Sequence, residues 1–201
     1  MTMQNKSALL VLDLINEIVH PRGKYANEGY LAQVIARRVL ENTALAIDRA
    51  RIAGIPVIYV VVGFSETYAE CPKNSPVLSI AKQDQRLILG TWATQIHDSL
   101  KVAKGEQIVS KNRVSPFFQT NLDLLLRTHS VDTVLLTGVS TEFVILATAM
   151  SAHDLDYNVV VLEDATSSSN DERHRAALTI LGRIAKISSV GQALPASGEE
   201  A

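Results

Sequence analysis

The 201-residue sequence contains one cysteine, Cys71, so no internal disulfide is possible and nothing calls for an oxidising compartment. Its longest apolar runs, such as residues 8–12 and 57–62, are far too short to cross a bilayer. Lysine and arginine are scattered and the formal net charge is only -2, which argues against a nucleic-acid-binding stripe or an anionic-membrane surface. Residues 1–7 are polar and lack the apolar core of a signal peptide. Repeats, low-complexity tracts and interdomain linkers are also missing. These absences lead to the expectation of a cytoplasmic protein whose partners include neither nucleic acid nor membrane.

What is present is an ordinary globular balance: 47% hydrophobic and 20% charged residues, too apolar and too weakly charged for a disordered chain. The length suits one domain with a sizeable core. Short apolar runs alternate with longer helical stretches. Strands are predicted at 8–13, 56–62, 107–110, 133–137, 159–162 and 186–189. Helices are predicted at 31–53, 92–101, 120–128, 141–155 and 171–184. Strands apolar throughout and separated by helices imply a parallel sheet covered on both faces. The expected fold is therefore α/β, a three-layer α/β/α sandwich on a parallel, roughly six-stranded, Rossmann-like sheet. A single domain is expected over 1–192, followed by a flexible tail at 193–201. Segments 19–29 and 63–90 are irregular, and the longer one, which carries Cys71, is expected to fold over a site.

Ligands of open parallel sheets bind at the carboxyl ends of strands. Asp13, Lys111 and the turn Gly138-Val139-Ser140-Thr141 all fall at such ends. Singly each signal is weak: a strand-terminal aspartate is more often a cap, and a loop lysine is more often solvated.

Together the segments resemble the isochorismatase-like (cysteine hydrolase) family. Asp13-Leu14-Ile15-Asn16-Glu17-Ile18 is similar to its opening D-M-Q-N-D-F motif, and Gly90-Thr91-Trp92 to its G-T-W element. Lys111 to Thr120 resembles K-x-R-Y-S-A-F-F-G-T, Thr137 to Val144 resembles T-G-V-A-T-D-V-C, and Tyr157 to Ala165 is similar to the last core strand. His174 stands where the family often has a helical histidine.

The resemblance implies a hydrolase fold with an Asp–Lys–Cys triad, in which Asp13 and Lys111 are catalytic and Val144 occupies the position of the family nucleophile. It also implies a cis peptide at Val139–Ser140, with Val139, Ser140 and Thr141 forming an oxyanion-binding backbone turn. Asn16, Trp92, Phe117 and Phe118 are the pocket candidates. A valine cannot attack a carbonyl, which excludes amidase chemistry through position 144. Cys71 is the only other thiol, and an incidental loop cysteine is its simpler reading.

Isochorismatases themselves protonate a vinyl ether and need no nucleophilic side chain, a route that would make Asp13 the acid. Lys111 would then bind a substrate carboxylate or orient Asp13. The bulk of Val144 favours a smaller or flatter ligand than isochorismate. The expectation is a hydrolase of a small molecule working through Asp13; the alternative is a non-catalytic relative that keeps the pocket for binding or assembly. No cofactor is expected. No metal is expected either, because the histidines are dispersed and residues 61–66 lack one. A homodimer or higher homo-oligomer is expected from the resemblance, although the Ala147, Ala149 and Ala152 helix face could equally pack on its own sheet.

Overall fold

Six segments rich in β-branched residues and leucine form strands: β1 (Ser7–Leu12), β2 (Val57–Val62), β3 (Gln107–Lys111), β4 (Thr133–Val139), β5 (Asn158–Ser167) and β6 (Lys186–Ser188). In the computed structural model, which describes residues 6–196, all six pair in parallel in the order β3-β2-β1-β4-β5-β6. β2 and β4 are buried along their whole length, as two-sided coverage requires.

The helices are α1 (Asn16–Val19), α2 (Tyr30–Ala36), α3 (Val39–Ile52), α4 (Ile80–Gln83), α5 (Leu122–Thr128), α6 (Leu146–Asp154), α7 (Asp171–Leu181) and α8 (Val190–Ala193). Alternation along the strands sorts them into two layers. Leu10, Leu12, Ile58, Val60 and Leu136 face a core closed by α5, α6 and α7. Leu9, Val11, Val57, Tyr59 and Leu135 face one closed by α2, α3 and α8. The expected three-layer sandwich is therefore present. Among the described residues, no helix is long and apolar enough to cross a membrane.

Several boundaries differ from expectation, each for a local reason. The single helix expected over 31–53 is two, because Arg38 adopts a left-handed conformation (φ 55°). Arg37 holds that break against the sheet, its guanidinium donating to the carbonyls of Thr166 and Glu163. The helix expected over 92–101 is only a 3-10 turn at Trp92–Thr94. Beyond it the chain pairs with the segment after β1, through an Ile15–Ile96 bridge and a bond from His97 N–H to the Leu14 carbonyl. The helix expected from 141 opens as a π turn, Thr141–Ile145, before α6.

Ala149 and Ala152 are fully buried in the chain's own core, so the alanine face packs on the sheet beneath it. The expected tail is ordered at its start: Ala193 closes α8, and the buried Leu194 accepts a hydrogen bond from Arg49 Nη1. Its remainder, 197–201, lies outside the described residues.

Candidate active site

The strand order reverses direction at β1, which lies between β2 and β4, and a crevice opens there at the carboxyl ends. Asp13 follows β1 directly, in a left-handed conformation (φ 54°) that turns the chain out of the sheet. Lys111 ends β3, two strands away, and its long side chain spans the end of β2. The two meet with Lys111 Nζ 2.7 Å from Asp13 Oδ2, both side chains 1% exposed. Lys111 Nζ also donates to the Arg113 carbonyl at 3.2 Å.

Asp13 Oδ1 has no hydrogen-bond partner among the described residues. Burial pushes the Asp13 carboxyl above its ordinary value of 3.8, against the opposing pull of Lys111 and of the hydrogen bonds it accepts. Desolvation is the larger effect, with Lys111 the one cation paired with Asp13 among the described residues and a largely apolar lining around them.

The third element is the β4–α6 turn. Gly138 (φ +120°) lies so close to β1 that a Cβ there would stand 1.9 Å from the Leu12 carbonyl oxygen. No other residue type fits. The following Val139–Ser140 peptide is cis. The first helical bonds after it run from Val144 N–H and Ile145 N–H to the Ser140 carbonyl, at 2.9 and 3.0 Å, so the N–H groups of residues 141–143 lie ahead of the helical ladder. Thr141 is buried, and its hydroxyl meets His174 Nδ1 at 2.8 Å. Burial, with Arg37 close by, pushes the His174 imidazole down to about 4, so it is neutral.

These elements enclose a pocket of about 80 Å³, lined by Asp13, Lys111, Val139, Ser140 and Val144 together with residues the sequence did not single out. Ile18, Tyr25 and Tyr30 come from the segment after β1; Val77, Leu78 and Leu87 come from the 63–90 excursion. That excursion does cover the site, as expected. Val114 and Phe143 complete the lining with Val62. Roughly 10–15 Å³ accommodates one water, so this space suits a small ligand. No periodic pattern could have flagged Tyr25 or Leu87, since both lie in irregular chain; the one available signal was that their segments flank Asp13 and Lys111.

Other expected pocket residues lie elsewhere. Asn16 donates to the Trp92 carbonyl at 3.0 Å, and Trp92 packs against Arg22 and His20 outside the lining. Phe117 stacks on Tyr157 in the core, and Phe118 is 51% exposed. Cys71 is buried but does not line the pocket; its thiol donates to the Leu78 carbonyl, and burial pushes it up. The histidines are less dispersed than their spacing suggests, with the His20 and His97 rings 5.8 Å apart. Among the described residues, no three His, Cys, Asp or Glu side chains cluster as metal ligands.

Comparison with known proteins places this geometry in context. The isochorismatase domain family matches residues 7–192. An isochorismatase family protein from Desulfovibrio vulgaris is 25% identical, with a TM-score of 0.84, covering 94% of this chain and 97% of that one. N-carbamoylsarcosine amidase from Thermoplasma acidophilum is 26% identical, with a TM-score of 0.74 and coverage of 92% and 96%. A nicotinamidase from Bacillus subtilis is 26% identical, with a TM-score of 0.73 and coverage of 92% and 100%.

Proposed function

The chain belongs to the isochorismatase family, and from that premise we propose that it hydrolyses a small molecule through Asp13 acting as a proton donor and acceptor, without a nucleophilic side chain. One observation carries the reading. Asp13 is buried beside a largely apolar pocket, one carboxylate oxygen fixed by Lys111 and the other without a partner among the described residues. A carboxyl group held in that way, with its affinity for protons raised by burial, is suited to give a proton to a bound substrate.

Lys111 serves to orient. Its ammonium is committed to Asp13 and the Arg113 carbonyl, which leaves it poorly placed to bind a substrate carboxylate as well. Val144 lines the pocket as a wall, with no lone pair for attack. For an enol ether, the Asp13 proton goes to the terminal alkene carbon and leaves an oxocarbenium centre. Water adds to that centre, and its proton returns to Asp13. The resulting hemiketal collapses to a carbonyl compound and an alcohol. The unladdered N–H groups of residues 141–143 are available to polarise a substrate oxygen during that sequence.

The test is a hydrolysis screen of small enol ethers, esters and amides with the wild type and Asp13→Asn. Loss of all turnover in a folded Asp13→Asn protein supports the reading. Equal turnover by both proteins refutes it, and a wild type that binds compounds but turns none over favours the non-catalytic alternative.

A further inference from the structure

We infer that Tyr25 is a ligand-binding residue of this pocket, donating its phenolic hydrogen to an oxygen of a small, uncharged ligand. Tyr25 lines the pocket, and its hydroxyl is shielded from solvent without a partner among the described residues. Buried phenols normally find a hydrogen-bond acceptor. Tyr25 and Asp13 thus line the same largely apolar pocket, and each carries one shielded polar atom without a partner among the described residues. By contrast, the hydroxyl of the other lining phenol, Tyr30, is not both shielded and unpartnered.

The Tyr25 ring is braced in place. The Arg86 guanidinium lies 4.4 Å from its centroid and is itself held by Glu28 and by Asp84 at 2.7 Å. Tyr68 fixes the Arg86 backbone, its hydroxyl donating to the carbonyl at 2.7 Å. A donor oriented before the ligand arrives needs no further ordering on binding. Burial pushes the phenol up to about 12, so it carries its proton at neutral pH.

Charge bookkeeping sets the ligand class. The one cationic lining residue, Lys111, is paired with Asp13. Arg86 is committed to Glu28 and Asp84, and Arg113 Nη1 to the carbonyls of Glu70 and Asn112. A carboxylate entering the pocket would meet no unpaired cationic side chain among the described lining residues, whereas a neutral carbonyl or ether oxygen matches the Tyr25 hydroxyl. The inference rests on the pocket being the substrate site, and not on proton transfer by Asp13.

The experiment is a titration of isotope-labelled protein with butanamide and, separately, with butyrate, followed by NMR at pocket residues, alongside thermal unfolding. Butanamide is expected to bind the wild type more tightly than butyrate, and Tyr25→Phe to weaken butanamide about tenfold. Removing an unpartnered hydroxyl is also expected to raise the Tm of Tyr25→Phe, by about 2–4 °C. A purely structural role for Tyr25 would lower the Tm instead. Unchanged butanamide affinity in Tyr25→Phe, butyrate binding as tightly as butanamide, a lowered Tm, or no pocket response to butanamide each overturns the inference. Butanamide binding that depends on Tyr25 would support it even if Asp13→Asn left turnover intact, so the two readings fail separately.

Discussion

Lys111 Nζ lies 2.7 Å from one oxygen of Asp13 and leaves the other oxygen, beside a largely apolar pocket, without a partner among the described residues. The pair thus divides one carboxyl group into a fixed half and a reactive half. Lys111→Met removes the cation that opposes burial, so the Asp13 carboxyl rises further. The alkaline limb of kcat/KM, where the acid loses its proton, is expected to move to higher pH. Near neutral pH the variant is expected to lose roughly 3 kcal/mol of stability, a loss that shrinks on acidification as the unpaired carboxyl takes up a proton. Denaturant unfolding at two pH values checks this.

Gly138 is the tightest point of the site. Alanine there would place a Cβ against the Leu12 carbonyl oxygen, on a backbone with φ +120°. Since the clash is between two backbones in paired strands, neither can swing aside. Gly138→Ala is expected to cost more than about 3 kcal/mol or to prevent folding. A loss below about 1 kcal/mol would mean that β1 and β4 can separate.

Cys71 is expected to be catalytically silent. Its thiol is buried, bonded to the Leu78 carbonyl, and held by burial above its ordinary value. Cys71→Ser should retain wild-type kcat/KM, and the native thiol should react with iodoacetamide far more slowly than an unfolded control. In a Val144→Cys, Cys71→Ser protein the new thiol lines the pocket and should be alkylated faster than Cys71 is in the wild type.

His174 gives stability a defined pH dependence. Its folded value, about 4, lies below the ordinary 6.5, so the unfolded chain binds the extra proton between those values. Its contribution is complete above 6.5 and is lost as pH falls towards 4. The loss is expected to be roughly 1–2 kcal/mol after allowing for screening by nearby solvent. Unfolding midpoints of the wild type and His174→Gln across pH 4 to 7 test this: the variant should show a flatter dependence.

The sheet was legible because its strands are apolar on both faces, as in the segment from Ala8 to Leu12 and in Val57–Val62, and such runs alternating with helices suit a two-sided parallel sheet. Asp13 and Lys111 stood out weakly as strand-end residues, and it was the resemblance of the motifs around them that singled them out. What periodicity could not convey was irregular chain. The helix expected over 31–53 breaks at Arg38, where Arg37 is tied to β5 by contacts more than 120 residues away in sequence. The segment after Trp92 abandons its helical spacing to pair with residues beside β1. Tyr25 went unnoticed for the same reason: its place in the pocket is set by Arg86 and Glu28, which meet only in the folded chain.

The most direct measurement is the titration of the Asp13 carboxyl carbon by NMR, set beside the pH dependence of kcat/KM for a substrate found in the hydrolysis screen. Asp13 is expected to titrate above its ordinary value of 3.8, with kcat/KM falling as pH rises through the same value. A carboxyl titrating at or below 3.8, or activity that rises with pH through that transition, would contradict an acid role for Asp13.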